Sequence, residues 1–376
     1  MAAQRDDVLA RGGETEGLSR QIDLIRQQAA ACRELGSPFY EALLGDLADD
    51  VAAGGVGARV LAGHEDDAGP SALALRVMAA VHRLVLTGRA PALAAHYPSA
   101  GGDGNAAAAW TAFRETLEDH MDAVRAGLAS PPQTNEVGRS AALFGGLLQV
   151  LATAGQPDLP VRLVEIGASA GLNLLADQFA YRAAAAEAEP WHMTEATDVV
   201  LDPAWETRPH GIPEAVRVVE RRGCDLSPID ARSEDGALSL LSCVWPDQTH
   251  RLERLRGALA VAREHPVELV RAGGGDFLDD LQLRDGHHTV VWHSVMWQYV
   301  PAAEQQRMLD RLEALGTQST ADRTLTHLAF EPRRLEPGGR HRFVVAATTW
   351  PGGEERLLGE APPHGVPVRW GDPRAR

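Results

Sequence analysis

The 376-residue chain contains no lysine. All 36 of its basic residues are therefore arginines, and chemistry that needs a side-chain amine is excluded: no Schiff-base lysine, no lysine nucleophile and no phosphate-loop lysine. Cysteine is scarce too. Cys32, Cys224 and Cys243 are far apart and odd in number, which gives neither a disulfide framework nor a zinc pattern and agrees with a reducing cytoplasm. No apolar run approaches the roughly 20 residues that span a bilayer, and the chain starts on polar residues. Positive charge is in deficit, since the formal net charge is −16, which argues against nucleic acid or an anionic membrane as the main partner. His287-His288 is an adjacent pair beside Gly286, without the i, i+4 spacing or third ligand of a zinc site, so no metal is assigned. The expectation is a soluble, cytoplasmic protein that takes a small-molecule substrate, with a protein partner or a homodimer left open.

What is present is concentrated between Val161 and Leu175. A β-branched run ends in Glu165, three small residues follow Gly167, and an apolar-periodic segment begins after Gly171. The pattern predicts strand, tight turn and helix, with helix N-terminal N–H groups beside a carboxylate. Such a turn suits the carboxylate or ribose end of a nucleotide-like ligand. The same letters match Gly-x-Ser-x-Gly, the nucleophile elbow of serine hydrolases, with Ser169 as nucleophile and His364 as its late histidine. A hydrolase needs strands and an oxyanion-hole loop before the elbow, and the first 150 residues are alanine-rich and helical in pattern instead.

Residues 18–53 read as amphipathic helices broken at Gly36-Ser37-Pro38, 70–97 as a second pair broken at 87–91, and 106–129 as a further helical stretch after a loop at 98–105. Pro131 and Pro132 end that stretch, and Thr134 is an N-cap candidate for the next helix. Residues 1–154 are expected to form a helical cap domain. From 161 the pattern alternates strand and helix, predicting an α/β domain over 155–376 with a seven-stranded, mostly parallel sheet. Its expected strands are 161–166, 216–222, 267–271, 289–294, 325–330, 341–348 and 366–370, the last antiparallel. Crossover helices are expected near 171–181, 247–263 and 302–315, and 183–214 reads as an insertion with a short strand at 197–201.

In an open α/β sheet the ligand crevice lies at the carboxyl ends of the strands. Those ends carry Glu165, Asp225, Asp276 with Phe277, His293 and Glu331. Each has a plainer reading. Asp225 suits the cap of the next turn, Asp276 stands among helix-start acids, and His293 in an apolar strand suits a core histidine as well as a general base. Tyr299 and Trp297 are packing groups or substrate walls. Thr134, Asn135, Glu136 and Arg139 form a polar cluster that reads as a substrate pocket, although Glu136 and Arg139 are spaced to pair with each other. Trp245-Pro246-Asp247-Gln248 marks a loop and a helix start, with Gln248 and Arg251 as possible contacts to an anionic substrate.

Together these junctions resemble the class I, Rossmann-type S-adenosylmethionine-dependent methyltransferases over roughly residues 155–376. The resemblance implies a Rossmann-like methyltransferase-type sheet and an S-adenosylmethionine site built from Glu165, Gly167, Ser169, Gly171, Asn173, Asp225, Asp276 and Phe277. Glu165, Gly167 and Gly171 would hold the methionine end, Asp225 the ribose, and Asp276 with Phe277 the adenine. His293 and Glu331 would be catalytic, with Thr134, Asn135, Glu136, Arg139 and Tyr299 on the substrate. Two departures stand out. Ser169 replaces the middle glycine, and 54 residues separate Gly171 from Asp225, against roughly 20 in dinucleotide folds. The whole chain also resembles a bacterial family called domain of unknown function 2332, through Gly36-Ser37-Pro38, His82 to Leu86, Gln133 to Ser140, Glu165 to Leu174, Arg222 to Asp225 and Val244 to Gln248.

Three functions are consistent with these residues. The first is methyl transfer to a small molecule of bacterial specialised metabolism. The second is a methyltransferase-fold enzyme or subunit that catalyses another displacement or a ring closure, with or without a partner protein. The third is a hydrolase using Ser169.

Overall fold

The structure, a computed structural model, describes residues 2–67, 69, 72–129, 132–153, 159–184, 191–193, 197–213 and 215–375, with side chains described from residue 17 onward. The chain packs as two compact units, Met1–Thr134 with Leu238–Glu253, and Asn135–Ala237 with Arg254–Arg376. Pro131, the expected domain boundary at 154/155, and positions 185–190, 194–196 and 214 of the expected insertion lie outside the described residues.

The first unit is helical. Its helices include Ala2–Glu34, Pro38–Ala52, Leu73–Leu86 and Ala106–Asp119. The break at Gly36-Ser37-Pro38 falls where the sequence puts it: Gly36 has φ 83°, Ser37 Oγ accepts from Tyr40 N, and Pro38 opens the next helix. Leu43, Leu44, Leu47, Val81 and Phe113 close the core without solvent exposure. Trp245 joins this core from the returning segment. Asp247 accepts from Ser37 Oγ at 2.6 Å and Phe39 N at 3.1 Å, so it caps Pro38–Ala52 rather than a helix of its own. Gln248 Nε2 donates to Leu35 O and Arg251 to Gln248 Oε1. These two side chains brace the unit from within.

The second unit is built on a sheet. Its strands are β1 Val161–Ile166, β2 Ala180–Ala183, β3 Val200–Trp205, β4 Val218–Asp225, β5 Glu268–Arg271, β6 His287–Ser294, β7 Arg323–Arg333, β8 Arg342–Trp350, β9 Glu354–Ala361 and β10 Arg369–Trp370. Among the described residues the main sheet has eight strands in the order β10-β9-β8-β7-β6-β1-β4-β5, and β2 pairs with β3 separately. Pairs from β5 to β7 are parallel, and β8, β9 and β10 add on antiparallel. The sequence count of seven misses β9, because Glu354-Glu355-Arg356 is charged and exposed and lacks the apolar alternation of a half-buried strand. The segment expected as a helix at 171–181 is a 3₁₀ helix, Leu172–Gln178, followed by β2. The helix expected to begin at Thr134 begins later. A 3₁₀ turn, Val137–Arg139, is capped by Glu136, and the α-helix runs Ser140–Thr153 and packs with the sheet. Among the described residues no helix is long and apolar enough to cross a membrane.

β1 has β4 on one side and β6 on the other, so the strand order reverses at β1. In open α/β sheets the ligand crevice lies outside the strand ends at such a reversal.

Candidate functional site

The turn after β1 is tight and buried. Gly167, Ser169 and Gly171 have φ of 68°, 52° and 73°, values glycine adopts freely and serine only at a cost. A Cβ on Gly171 would lie 2.8 Å from Val267 Cγ2, and one on Gly223 of β4 would lie 2.7 Å from Ala168 Cβ. The turn amides do not stand open as the sequence suggests. Ala168 N donates to Cys224 O, Ser169 N to Asp225 Oδ2 at 2.9 Å, Gly171 N to Ala168 O, and Leu172 N to Asn135 Oδ1 at 2.9 Å. The seven-residue 3₁₀ helix that follows offers no anion site of its own.

Asp225 therefore braces the turn, and its Oδ1 accepts from Ser227 N in a local Asx turn. Both the ligand reading and the capping reading of this residue use the same carboxylate. Glu165 is 1% exposed. Its carboxyl is pushed up to about 8 by burial, while the Asn173 and Trp292 side chains beside it favour the charged form. Glu165 Oε2 has no hydrogen-bond partner among the described residues. Asn173 in turn accepts from Ser140 Oγ at 2.8 Å.

Asp276 and Phe277 do not converge on this turn. Asp276 Oδ1 accepts from Arg307 at the surface, and Phe277 is buried in the core with Ile166, Leu278 and Met308, with the Arg222 guanidinium 4.9 Å from its ring centre. The apolar side chain left at the end of β4 is Leu226, which is 75% exposed.

His293 and Glu331 do meet. Register pairs His293 with Ala329 on β7, and alternation puts His293, His327 and Glu331 on one face. His293 Nδ1 lies 2.7 Å from Glu331 Oε1, and His293 Nε2 lies 3.0 Å from His327 Nε2. Trp297 stacks on His293 at 4.9 Å. Glu331 Oε1 also accepts from Met296 N and Trp297 N, while its Oε2 has no partner among the described residues. With Glu331 as acceptor, His293 carries its proton on Nδ1 and accepts at Nε2, so His327 donates from Nε2 and keeps Nδ1 as an acceptor. Burial, then the neighbouring His293, holds His327 well below the usual histidine range. These residues wall a cavity of about 690 Å³ between β7, β8 and the helix Ala302–Gly316. Both histidines line the cavity; His293 is 2% exposed and His327 is half-buried. His327 is not among the residues that the strand ends single out in the sequence. The signal was there, since His327 and Glu331 are four apart and share a strand face.

The polar cluster before the sheet is tied up by the fold. Asn135 Oδ1 accepts from Leu172 N, Glu136 Oε1 accepts from Gly138 N and stands 3.7 Å from Arg254, and Arg139 Nε donates to Pro363 O. Thr134 is half-buried in the first unit. Tyr299 is 60% exposed. Among the described residues no group of three or more His, Cys, Asp or Glu is placed to hold a metal ion.

The second unit is thus a mixed α/β protein, with a mostly parallel sheet, a braced turn at the order reversal and a histidine–carboxylate cavity on one face. Residues 23–370 match the family described as an uncharacterized protein conserved in bacteria (DUF2332), and the chain belongs to that family. No curated protein and no solved structure matches the chain.

Proposed function

We propose that the chain is an S-adenosylmethionine-dependent methyltransferase acting on a small molecule, with the cofactor held at the ends of β1 and β4. The observation that carries this reading is Glu165: a buried carboxyl with an unpartnered Oε2 at the strand where the sheet order reverses. Glu165 Oε2 would accept from the cofactor's α-ammonium group, which would supply the missing donor. A carboxylate has about four lone-pair sites. Asp225 can therefore brace Ser169 N and accept from ribose hydroxyls. Leu226, rather than Phe277, offers apolar surface to an adenine ring. The order β5-β4-β1-β6-β7 supports the Rossmann-like assignment, since it repeats the first five positions of a doubly wound sheet. The antiparallel β8, β9 and β10 are an addition to that plan.

The bound cofactor supplies an electrophilic methyl group. The chain positions the acceptor and takes its proton, and His327 Nδ1 is the accepting atom, with His293 and Glu331 as positioning residues. Met296 links the two ends of the site: it lies against the Gly167 turn and its N–H donates to Glu331.

Calorimetric titration with S-adenosylmethionine and S-adenosylhomocysteine, on protein freed of co-purified ligand, tests the reading. Micromolar affinity, about −8 kcal/mol, is expected. Asp225→Ala should weaken it by about 1–3 kcal/mol. A folded protein that binds neither compound overturns it. The four turn amides that already donate within the chain favour a second reading in that event, in which the cavity alone serves a displacement or ring closure without the cofactor.

A further inference from the structure

The cavity around His327 has a charge pattern that methyl transfer by itself does not explain. Its walls carry four carboxylates, Asp310, Glu313, Glu331 and Glu355, against one guanidinium, Arg333. Arg333 is already paired with Glu355 at 2.7 Å. Trp297 and Trp350 supply aromatic wall. Within this acidic lining one atom stands out. Glu331 is 4% exposed, its Oε1 is used by His293, Met296 and Trp297, and its Oε2 has no partner among the described residues. A buried carboxylate oxygen without a donor costs free energy that a ligand donor would recover.

The cavity is long as well as acidic. Glu331 pairs with Val344 and Leu325 with Trp350, so the Glu331 and Trp350 ends are six residues apart along β7. At strand rise that is roughly 20 Å. A compact anion meets only Arg333, already paired with Glu355, among four carboxylates, whereas an extended aliphatic amine meets carboxylates on both walls and tryptophan rings that attract ammonium groups and methylenes.

We propose that this cavity binds an extended aliphatic amine, with one ammonium group donating to Glu331 Oε2 and the chain running along β7 and β8 past His327. The inference rests on the methyl-transfer reading only in making the amine the acceptor. Binding itself uses no cofactor.

The test is calorimetric titration of the full chain with 1,8-diaminooctane and with 1,8-octanediol, which has the same carbon chain and no charge. One-to-one binding of the diamine is expected, with the diol at least about tenfold weaker, the loss set by a charge-assisted hydrogen bond. Glu331→Gln keeps an oxygen for His293, Met296 N and Trp297 N but replaces the charged acceptor with an amide. It should weaken the diamine about tenfold and leave the diol unchanged. Should that variant not fold, the pair Asp310→Asn with Glu313→Gln, on the exposed side of the helix, should weaken the diamine by about threefold. Equal binding of diamine and diol, a many-site isotherm, or variants that bind like the wild type would overturn the proposal. Diamine binding without S-adenosylmethionine binding leaves this inference standing and removes methyl transfer. The reverse result removes the amine site alone.

Discussion

Glu165 and His293, on adjacent strands, project from opposite faces of the same sheet. β1 and β6 are parallel with Glu165 opposite Trp292, so the next residue of β6 points the other way. The two polar clusters are therefore separate constellations that approach each other at the strand ends, through Met296.

That separation predicts a clean division of effects. His327→Gln should lower turnover by about 10²–10⁴-fold, the range for loss of a general base, and leave S-adenosylmethionine affinity within about twofold of wild type. Glu165→Gln should do the opposite, weakening the cofactor before it alters the proton step. Loss of cofactor affinity in His327→Gln would mean that the faces share one site.

Glu165 also gives stability a pH dependence of known sign. Its folded carboxyl is pushed up to about 8. An unfolded glutamate titrates near 4.3. Between those values the folded chain keeps a proton that the unfolded chain has released, so stability falls as pH rises, by at most about 1.4 kcal/mol per pH unit. His288 works in the other direction. Burial holds it at about 4, so the unfolded histidine binds a proton first and stability falls as pH drops from about 6.5 towards 4. The two windows overlap from about pH 4.3 to about 6.5, where the slopes offset, so urea midpoints should be nearly level there and fall from about 6.5 to 8, and Glu165→Gln should remove that fall. An unchanged fall in that variant would place the slope elsewhere.

Gly171→Ala should cost about 1–3 kcal/mol, since alanine is strained at a φ of 73° and its Cβ would press on Val267 Cγ2. The check is chemical denaturation. A neutral result would show that the turn and β5 shift apart easily.

In the first unit, Asp247→Ala should destabilise by about 1–3 kcal/mol, because it frees both the Ser37 hydroxyl and Phe39 N at the start of Pro38–Ala52. A double-mutant cycle with Ser37→Ala should show coupling of about 1 kcal/mol. Additive effects would mean that the cap is not a unit.

Much of the scaffold is legible locally. Val161–Ile166 and the Val290-Val291-Trp292 centre of His287–Ser294 are β-branched or apolar segments close to turn residues, as suits buried parallel strands, and the Gly36-Ser37-Pro38 break carries its own cap chemistry. β9 is not legible, because its first three residues, Glu354-Glu355-Arg356, are charged and exposed and only Leu358 and Gly359 are buried. The candidate residues divide in the same way. Glu165, His293 and Glu331 announce themselves by standing as polar groups at the ends of apolar strands. Asp276 and Phe277 have the right letters in the right order, but the short helix Gly274–Asp279 turns one to Arg307 and the other into the core.

The sequence by itself determined which segments could be strands and helices and where the backbone had to turn, since side-chain periodicity, β-branching and glycine conformation act over a few residues. Tertiary structure alone decided which polar groups face each other. Asp225 meets Ser169 N across 56 residues, His293 meets Glu331 across 38, and Asp247 meets Ser37 across 210. Strand register and face set the meeting of His293 with Glu331, where a shift of one residue would send a side chain to the other side of the sheet; the turn after β1 sets that of Asp225 with Ser169, and the return of 238–253 to the helical unit sets that of Asp247 with Ser37.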